Sequence, residues 1–331
     1  MGHVPGNLMG RTTRLLDAVP PTAGAAVMGT GIVSIGLARI GRAGLSDALL
    51  AVDVVLWLAL CVVFALRLLG QHHRWRSEAR SPGALTGVAG TAVLGARLAL
   101  LGDHWALYVL AGFAALLWLV LVSPVLRHWQ TPTVGVSFMV VVATESLAVL
   151  AALVALQQRA AWLGVLALVP LVLGIAAYVF VLSGFDLRQL VVGRGDHWIA
   201  GGALAIATLA CARTAEAVDV SPSLAGLANI LDDASFVLWL AAAAWLPALI
   251  VAEVLSPRLG YDLRRWSAVF PLGMYAVSSI AVASVTGHGW LRTFGRVWVW
   301  VAFAVWAVVF AATLLRSARF VRDVHGAQAA P

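Results

Sequence analysis

Ten stretches of about 20 mostly apolar residues, each long enough to cross the hydrocarbon core of a bilayer, follow one another with short connections. They cover 23–40, 48–69, 83–102, 106–126, 135–156, 161–182, 197–214, 235–255, 266–285 and 297–315. No other feature restricts the fold so strongly. Of the 331 residues, 62% are hydrophobic and 11% charged, against about 25% charged in soluble domains. A soluble chain this apolar has nothing to cover its surface, so lipid is its solvent. The expected architecture is an all-α membrane protein of one domain. Residues 1–22 form a cytoplasmic N-terminal tail, 23–315 the ten-helix transmembrane domain, and 316–331 a cytoplasmic C-terminal tail.

The net charge of +7 suggests nucleic acid in a soluble protein. Here all the cations are arginines lying mostly between apolar runs, where they set orientation instead. With the N-terminus inside, the cytoplasmic side holds 15 arginines: Arg11, Arg14, Arg67, Arg74, Arg76, Arg80, Arg127, Arg188, Arg194, Arg258, Arg264, Arg265, Arg316, Arg319 and Arg322. The other side holds six: Arg39, Arg42, Arg159, Arg213, Arg292 and Arg296. This bias puts both termini in the cytoplasm of a cell-membrane protein. Cys61 and Cys211 fall in separate apolar runs and suggest neither a disulfide nor a metal site. No signal-peptide pattern opens the chain.

The ten spans are of two kinds. The odd ones contain 13 Gly, 13 Ser or Thr and 2 Trp, and the even ones 3 Gly, 3 Ser or Thr and 8 Trp. Small residues let helix backbones approach and hydroxyls bond across helices or face water, whereas Trp and large apolar side chains suit lipid and its interfaces. The odd helices are therefore expected inside and the even ones outside, as five helical hairpins in a ring with the odd helices lining a central pore. A compact bundle with small residues at its contacts is the plainer alternative. The small residues expected to line the pore are Gly29, Thr30, Gly31, Gly90, Thr91, Thr144, Thr208 and Ser278.

Two stretches carry a likeness. "VMGTGIVS", residues 27–34, and "RRWSAVFPLG", residues 264–273, resemble the first and ninth spans of the tellurite-resistance/dicarboxylate transporter family, which includes slow-type anion channels. Ten spans in this length fit as well. The resemblance implies a five-hairpin ring, a homotrimer with one pore per subunit, and a ninth-span phenylalanine that plugs the pore, here Phe270. Residue by residue, Phe270 otherwise reads as an ordinary packing side chain.

Pro271 lacks a backbone N–H, so inside a helix it leaves the Ser267 carbonyl without its partner. It reads either as a kink or as a first-turn proline. Arg97 and Glu145 are ionisable groups within spans, which default to functional hypotheses. Arg97 is expected to attract anions, pair with Glu145 or reach the interface, and Glu145 to carry a coupling proton or pore charge. Asp53 is expected to reach the interface, Asp232 and Asp233 to lie in a solvated loop before the eighth span, and "HHRWRSEAR", residues 72–80, to be a basic loop contacting headgroups.

The expected function is a channel or permease for small anions (chloride, nitrate, sulfite, tellurite or a C4-dicarboxylate) gated by Phe270. A proton-coupled exporter using Glu145 is the alternative. A haem-bearing redox enzyme needs paired His within spans, and none of His3, His72, His73, His104, His128, His197, His288 and His325 is central in one. A purely structural scaffold is the remaining class. No enzyme activity, cofactor or metal is expected. The partners are anions, the bilayer and further copies of the chain.

Overall fold

The computed structural model describes residues 19–193, 195–256 and 262–326. Arg11, Arg14, Arg194 and Arg258, counted above for orientation, and His3 lie outside the described residues. Ten long helices occupy the expected places: α1 Gly24–Arg39, α2 Ala43–Gly70, α3 Thr86–Ala99, α4 His104–Arg127, α5 Met139–Gln158, α6 Ala161–Ser183, α7 Ile199–Val218, α8 Ala225–Leu255, α9 Trp266–Thr286 and α10 Gly289–Gly326. Two short helices, His72–Glu78 and Gln189–Val192, lie in connections. Among the described residues there are no strands, and nine helices are long and apolar enough to cross a membrane. The chain is an all-helical membrane protein.

α3 is the long helix outside those nine. Its 14 α-helical residues include Gly87, Gly90, Gly95 and Arg97, which lower its hydropathy. The 3-10 turn Pro82–Leu85 in front of it extends its reach. Such a turn precedes every odd helix, at Pro21–Ala23, Pro82–Leu85, Gly135–Phe138, Asp196–Trp198 and Leu263–Arg265.

Two boundaries differ from expectation because helices continue beyond the apolar stretch. α8 begins ten residues before the expected 235, so Asp232 and Asp233 stand on a helix rather than in a loop. α10 runs from Gly289 past residue 315, so the expected C-terminal tail is helical through Gly326. Charged residues stop an apolar window without stopping a helix. The basic connection is likewise helical, and its Glu78 accepts from both Arg67 and Arg74, at 2.9 and 2.8 Å.

The two kinds of span separate as expected. Residues in the candidate spans of α1, α5, α7 and α9 are 72–94% buried, and those in the even spans 17–28%. Each odd helix packs on the even helix that follows it, giving five hairpins. The odd helices are also neighbours in a closed order, α1 to α3 to α5 to α7 to α9 and back to α1.

Tryptophan stitches successive hairpins together. Trp57 of α2 donates to Thr91 of α3, Trp118 of α4 to Thr144 of α5, Trp239 of α8 to Ser279 of α9, and Trp306 of α10 to Thr30 of α1, at 3.0, 3.0, 2.7 and 3.0 Å. In each case an indole on an outer helix reaches the inner helix of the next hairpin. The α6–α7 junction uses small residues, with Gly164 against Ala217. Replacing Trp306 by Phe removes the donor and leaves Thr30 buried. It is expected to destabilise the protein by about 1 kcal/mol, read as a lower unfolding midpoint in detergent. Thr30→Val added to Trp306→Phe is expected to cost little more, because the bond is already lost.

Candidate functional site

The start of α9 carries the Phe-Pro pair, and its contacts fix which way each residue faces. Val269 and Trp266 pack on Gly29 of α1, and Gly273 lies against Ile32 of the same helix. Pro271 packs on Gly202 of α7, and Tyr275 reaches Gly201. On the outer side Ser279 bonds Trp239 of α8, and Ile280 meets Gly295 of α10. Successive helical residues turn by about 100°. Positions 270 and 274 therefore fall between the α1-facing and α7-facing rows, opposite the outer helices. Phe270 and Met274 point toward the middle of the odd-helix set, and each is 1% exposed.

The same reasoning locates the inward row of α1. Gly24 and Gly31 meet α3, Gly29 and Ile32 meet α9, and Thr30 meets α10. Met28 and Ile35 remain between the α3 and α9 rows and face inward, buried at 1% and 7%. Neither was singled out in the sequence, where an apolar residue among apolar residues carries no signal.

Pro271 is the sixth residue of α9, past its first turn. Interior proline is not peculiar to α9, because Pro124, Pro170 and Pro247 lie inside α4, α6 and α8. What distinguishes Pro271 is its seat. A Cβ on Gly202 would come 2.7 Å from the proline ring and 3.1 Å from its Cα.

The other expected site residues are spread around the inner helices. Gly29 accommodates Val269, Gly31 accommodates Asp53 and Val93, and Gly90 of α3 accommodates Val27 of α1. Thr30, Thr91 and Thr144 hold the indole stitches. Thr208 donates to the Leu204 carbonyl at 2.8 Å and Ser278 bonds the Tyr275 carbonyl at 3.4 Å, both within their own helices. These glycines and hydroxyls serve helix contacts and helix backbone.

Arg97 does not pair with Glu145. Its Nη2 donates to Asp47 at 2.6 Å, and its Nε to Ser34 and Ser46 at 2.8 and 3.1 Å. Its guanidinium thus ties α3 to α1 and α2, and the side chain is 2% exposed. Glu145 sits inside its own hairpin against Gly174 of α6, 0% exposed, with both oxygens lacking a hydrogen-bond partner among the described residues. Asp53 does not reach the interface. It is 0% exposed against Gly31 of α1, and its two oxygens are likewise unpartnered. It lies about three turns into a helix that starts at Ala43, earlier than the apolar stretch implied, which carries it deeper.

The family model described as voltage-dependent anion channel matches residues 18–314. The chain belongs to this family. The stretch resembling its first span, helices α1 to α9 and the Phe-Pro pair of α9 all lie within the match, which ends inside α10. Two uncharacterized membrane proteins of Mycobacterium tuberculosis, from strains CDC 1551 and H37Rv, are each 36% identical over 124 residues. That stretch is 36% of this chain and 62% of each relative's length.

The Arg97 cluster gives a direct expectation. Asp47 is 59% exposed, so Asp47→Asn removes a screened pair and costs under about 1 kcal/mol. Arg97→Gln strips buried bonds from Ser34 and Ser46 and is expected to cost about 1–3 kcal/mol. Unfolding midpoints of the two variants in one detergent give the comparison.

Proposed function

We propose that the protein is a channel or permease for small anions, with the closed order of odd helices surrounding a conduit and Phe270 as its gate. The position of Phe270 carries this reading. It stands on the inward row of α9, between the rows that hold α1 and α7, and is 1% exposed. An aromatic ring there fills a narrow passage and offers an ion nothing in place of its water. Apolar constrictions of this kind block ions by dewetting, and an ion entering without compensation loses several kcal/mol or more. Met28, Ile35 and Met274 continue the apolar lining on the two neighbouring helices.

Pro271 is assigned a positioning role. Seated on Gly202, it fixes the depth and rotation of the turn that presents Phe270. Chloride, nitrate, sulfite, tellurite and C4-dicarboxylates are the candidate substrates. Membership in an anion-channel family favours this class over an enzyme or a scaffold. Assembly as a homotrimer in the cell membrane with both termini cytoplasmic completes the reading.

Phe270→Ala is expected to raise basal anion conductance of purified protein in planar bilayers. Phe270→Leu should raise it less, because more of the passage stays filled. Val269→Ala, on the row facing Gly29, should change it little. A folded Phe270→Ala protein conducting like wild type would make Phe270 a packing residue.

A proton-coupled exporter is the second reading, favoured by the unpartnered oxygens of Glu145. Its hairpin position means that a proton there would act through the α5–α6 contact rather than in the conduit. If this reading holds, Glu145→Gln flattens the pH dependence of liposome flux. An unchanged profile leaves Glu145 as a structural group.

A further inference from the structure

At one end of the bundle the C-terminal turns of α7 and α9 touch, and Arg39 at the end of α1 lies within electrostatic reach of the charges there. Arg39 closes α1 and is exposed. It stands 11 residues, roughly three turns, beyond Met28, so it continues the inward row of α1. Arg213 stands 11 residues beyond Gly202, close to the α9-facing row of α7. Its Nη1 binds Glu216 one turn on, and the Glu216 carboxylate also accepts from Ser284 of α9 at 3.3 Å. Arg39 lies within electrostatic reach of both Arg213 and Glu216 and has no hydrogen-bond or ion-pair partner among the described residues.

The arrangement is unbalanced in a specific way. One carboxylate, Glu216, is shared between Arg213 and a hydroxyl, while a second guanidinium nearby has no anion. The remaining carboxylates of this end that act on one another, Asp219, Asp232 and Asp233, group with Glu216. Asp232 and Asp233 stand on α8, an outer helix. They bound a cavity of about 400 Å³ with Phe236, His288 and the last residues of α9, Val285 and Thr286. Arg39 and Arg213 thus stand on inner helices, and Asp232 and Asp233 on an outer one.

We propose that Arg39 and Arg213 form a recruiting site for small anions at this mouth, with Glu216 as a built-in competitor for Arg213. The site rests on the conduit reading given above and adds to it a location for charge selection. An arriving anion meets the free Arg39 guanidinium first. It then replaces Glu216 on Arg213. Guanidinium groups suit chloride, nitrate and carboxylates alike because their N–H donors fan out in one plane.

A single charge about 6 Å away in water changes the local anion concentration about threefold, and salt screens the effect. In the open Phe270→Ala channel, Arg39→Gln is expected to cut unitary chloride current about threefold in low salt and to leave it nearly unchanged near 1 M salt. The loss should be larger for anions arriving from this side, giving rectification. Glu216→Gln should raise low-salt current. Currents in Arg39→Gln and Glu216→Gln equal to the parent's in low salt overturn the site. If Phe270→Ala itself carries no anion current, the conduit reading fails, and the site is judged by binding. A nitrate-dependent rise of the unfolding midpoint in wild type, lost in Arg39→Gln, supports it. An equal response in the two proteins, including none, overturns it.

Discussion

Inside hydrocarbon a polar group has no water to fall back on, so each one on a buried helix must find its partner on another helix or on its own backbone. Much of the architecture follows from that requirement. The odd helices carry small residues so that backbones can approach, and the hydroxyls among them must be satisfied. Outer helices supply the donors, because an indole has one N–H at the end of a large apolar body. It can pack in lipid-facing surroundings and still reach inward. Four such bonds join each of four outer helices to the next hairpin, including Trp306 of α10 to Thr30 of α1. The last of these connects the first and last long helices, its partners 276 positions apart in sequence.

The sequence reveals this plan at the level of composition and conceals it at the level of direction. Gly, Ser and Thr in odd spans with Trp in even spans correctly separate inner from outer helices. The same count leaves open whether the hydroxyls bond across helices or face water, and Thr30, Thr91 and Thr144 accept from tryptophans. A hydroxyl serves an indole as well as it serves a solvated passage, and its residue type does not say which. Direction becomes readable only when each position is set against its neighbours. Gly29 against Val269 and Gly202 against Pro271 then leave Phe270 between them. Met28 and Ile35 stay invisible in sequence for the same reason, since nothing distinguishes an inward apolar residue from an outward one. Asp53 is misplaced because an apolar window begins later than the helix that carries it.

The glycines do more than save space. Gly24, Gly31, Gly90 and Gly95 admit side chains or backbone from adjacent helices, and a Cβ at the first two would come within 2.6 Å of Thr86 and Asp53. Gly174 does the same for Glu145 across the α5–α6 hairpin. Two unpartnered carboxylates thus lie in clefts made by glycines of the neighbouring helix. Glycine lends each carboxylate room but no donor, so its oxygens remain the least satisfied polar atoms of their hairpins.

These placements bear on how a conduit between the odd helices would select ions. The ionisable groups at depth are turned away from the middle. Arg97 points to α1 and α2, Glu145 to α6, and Asp53 from α2 to α1. The inward rows of α1 and α9 present Met28, Ile35, Phe270 and Met274 instead. On the proposed reading these two rows offer an ion no fixed charge to exchange along, so passage past them depends on width and wetting, which a phenyl ring can govern. Discrimination by sign must then occur where charge is available, at the ends. There, Arg39 continues the α1 row that is apolar deeper in, and Arg213 stands near it at the end of α7. On the proposed reading, selection and gating are carried by different parts of the same helical faces, and a change at one leaves the other in place.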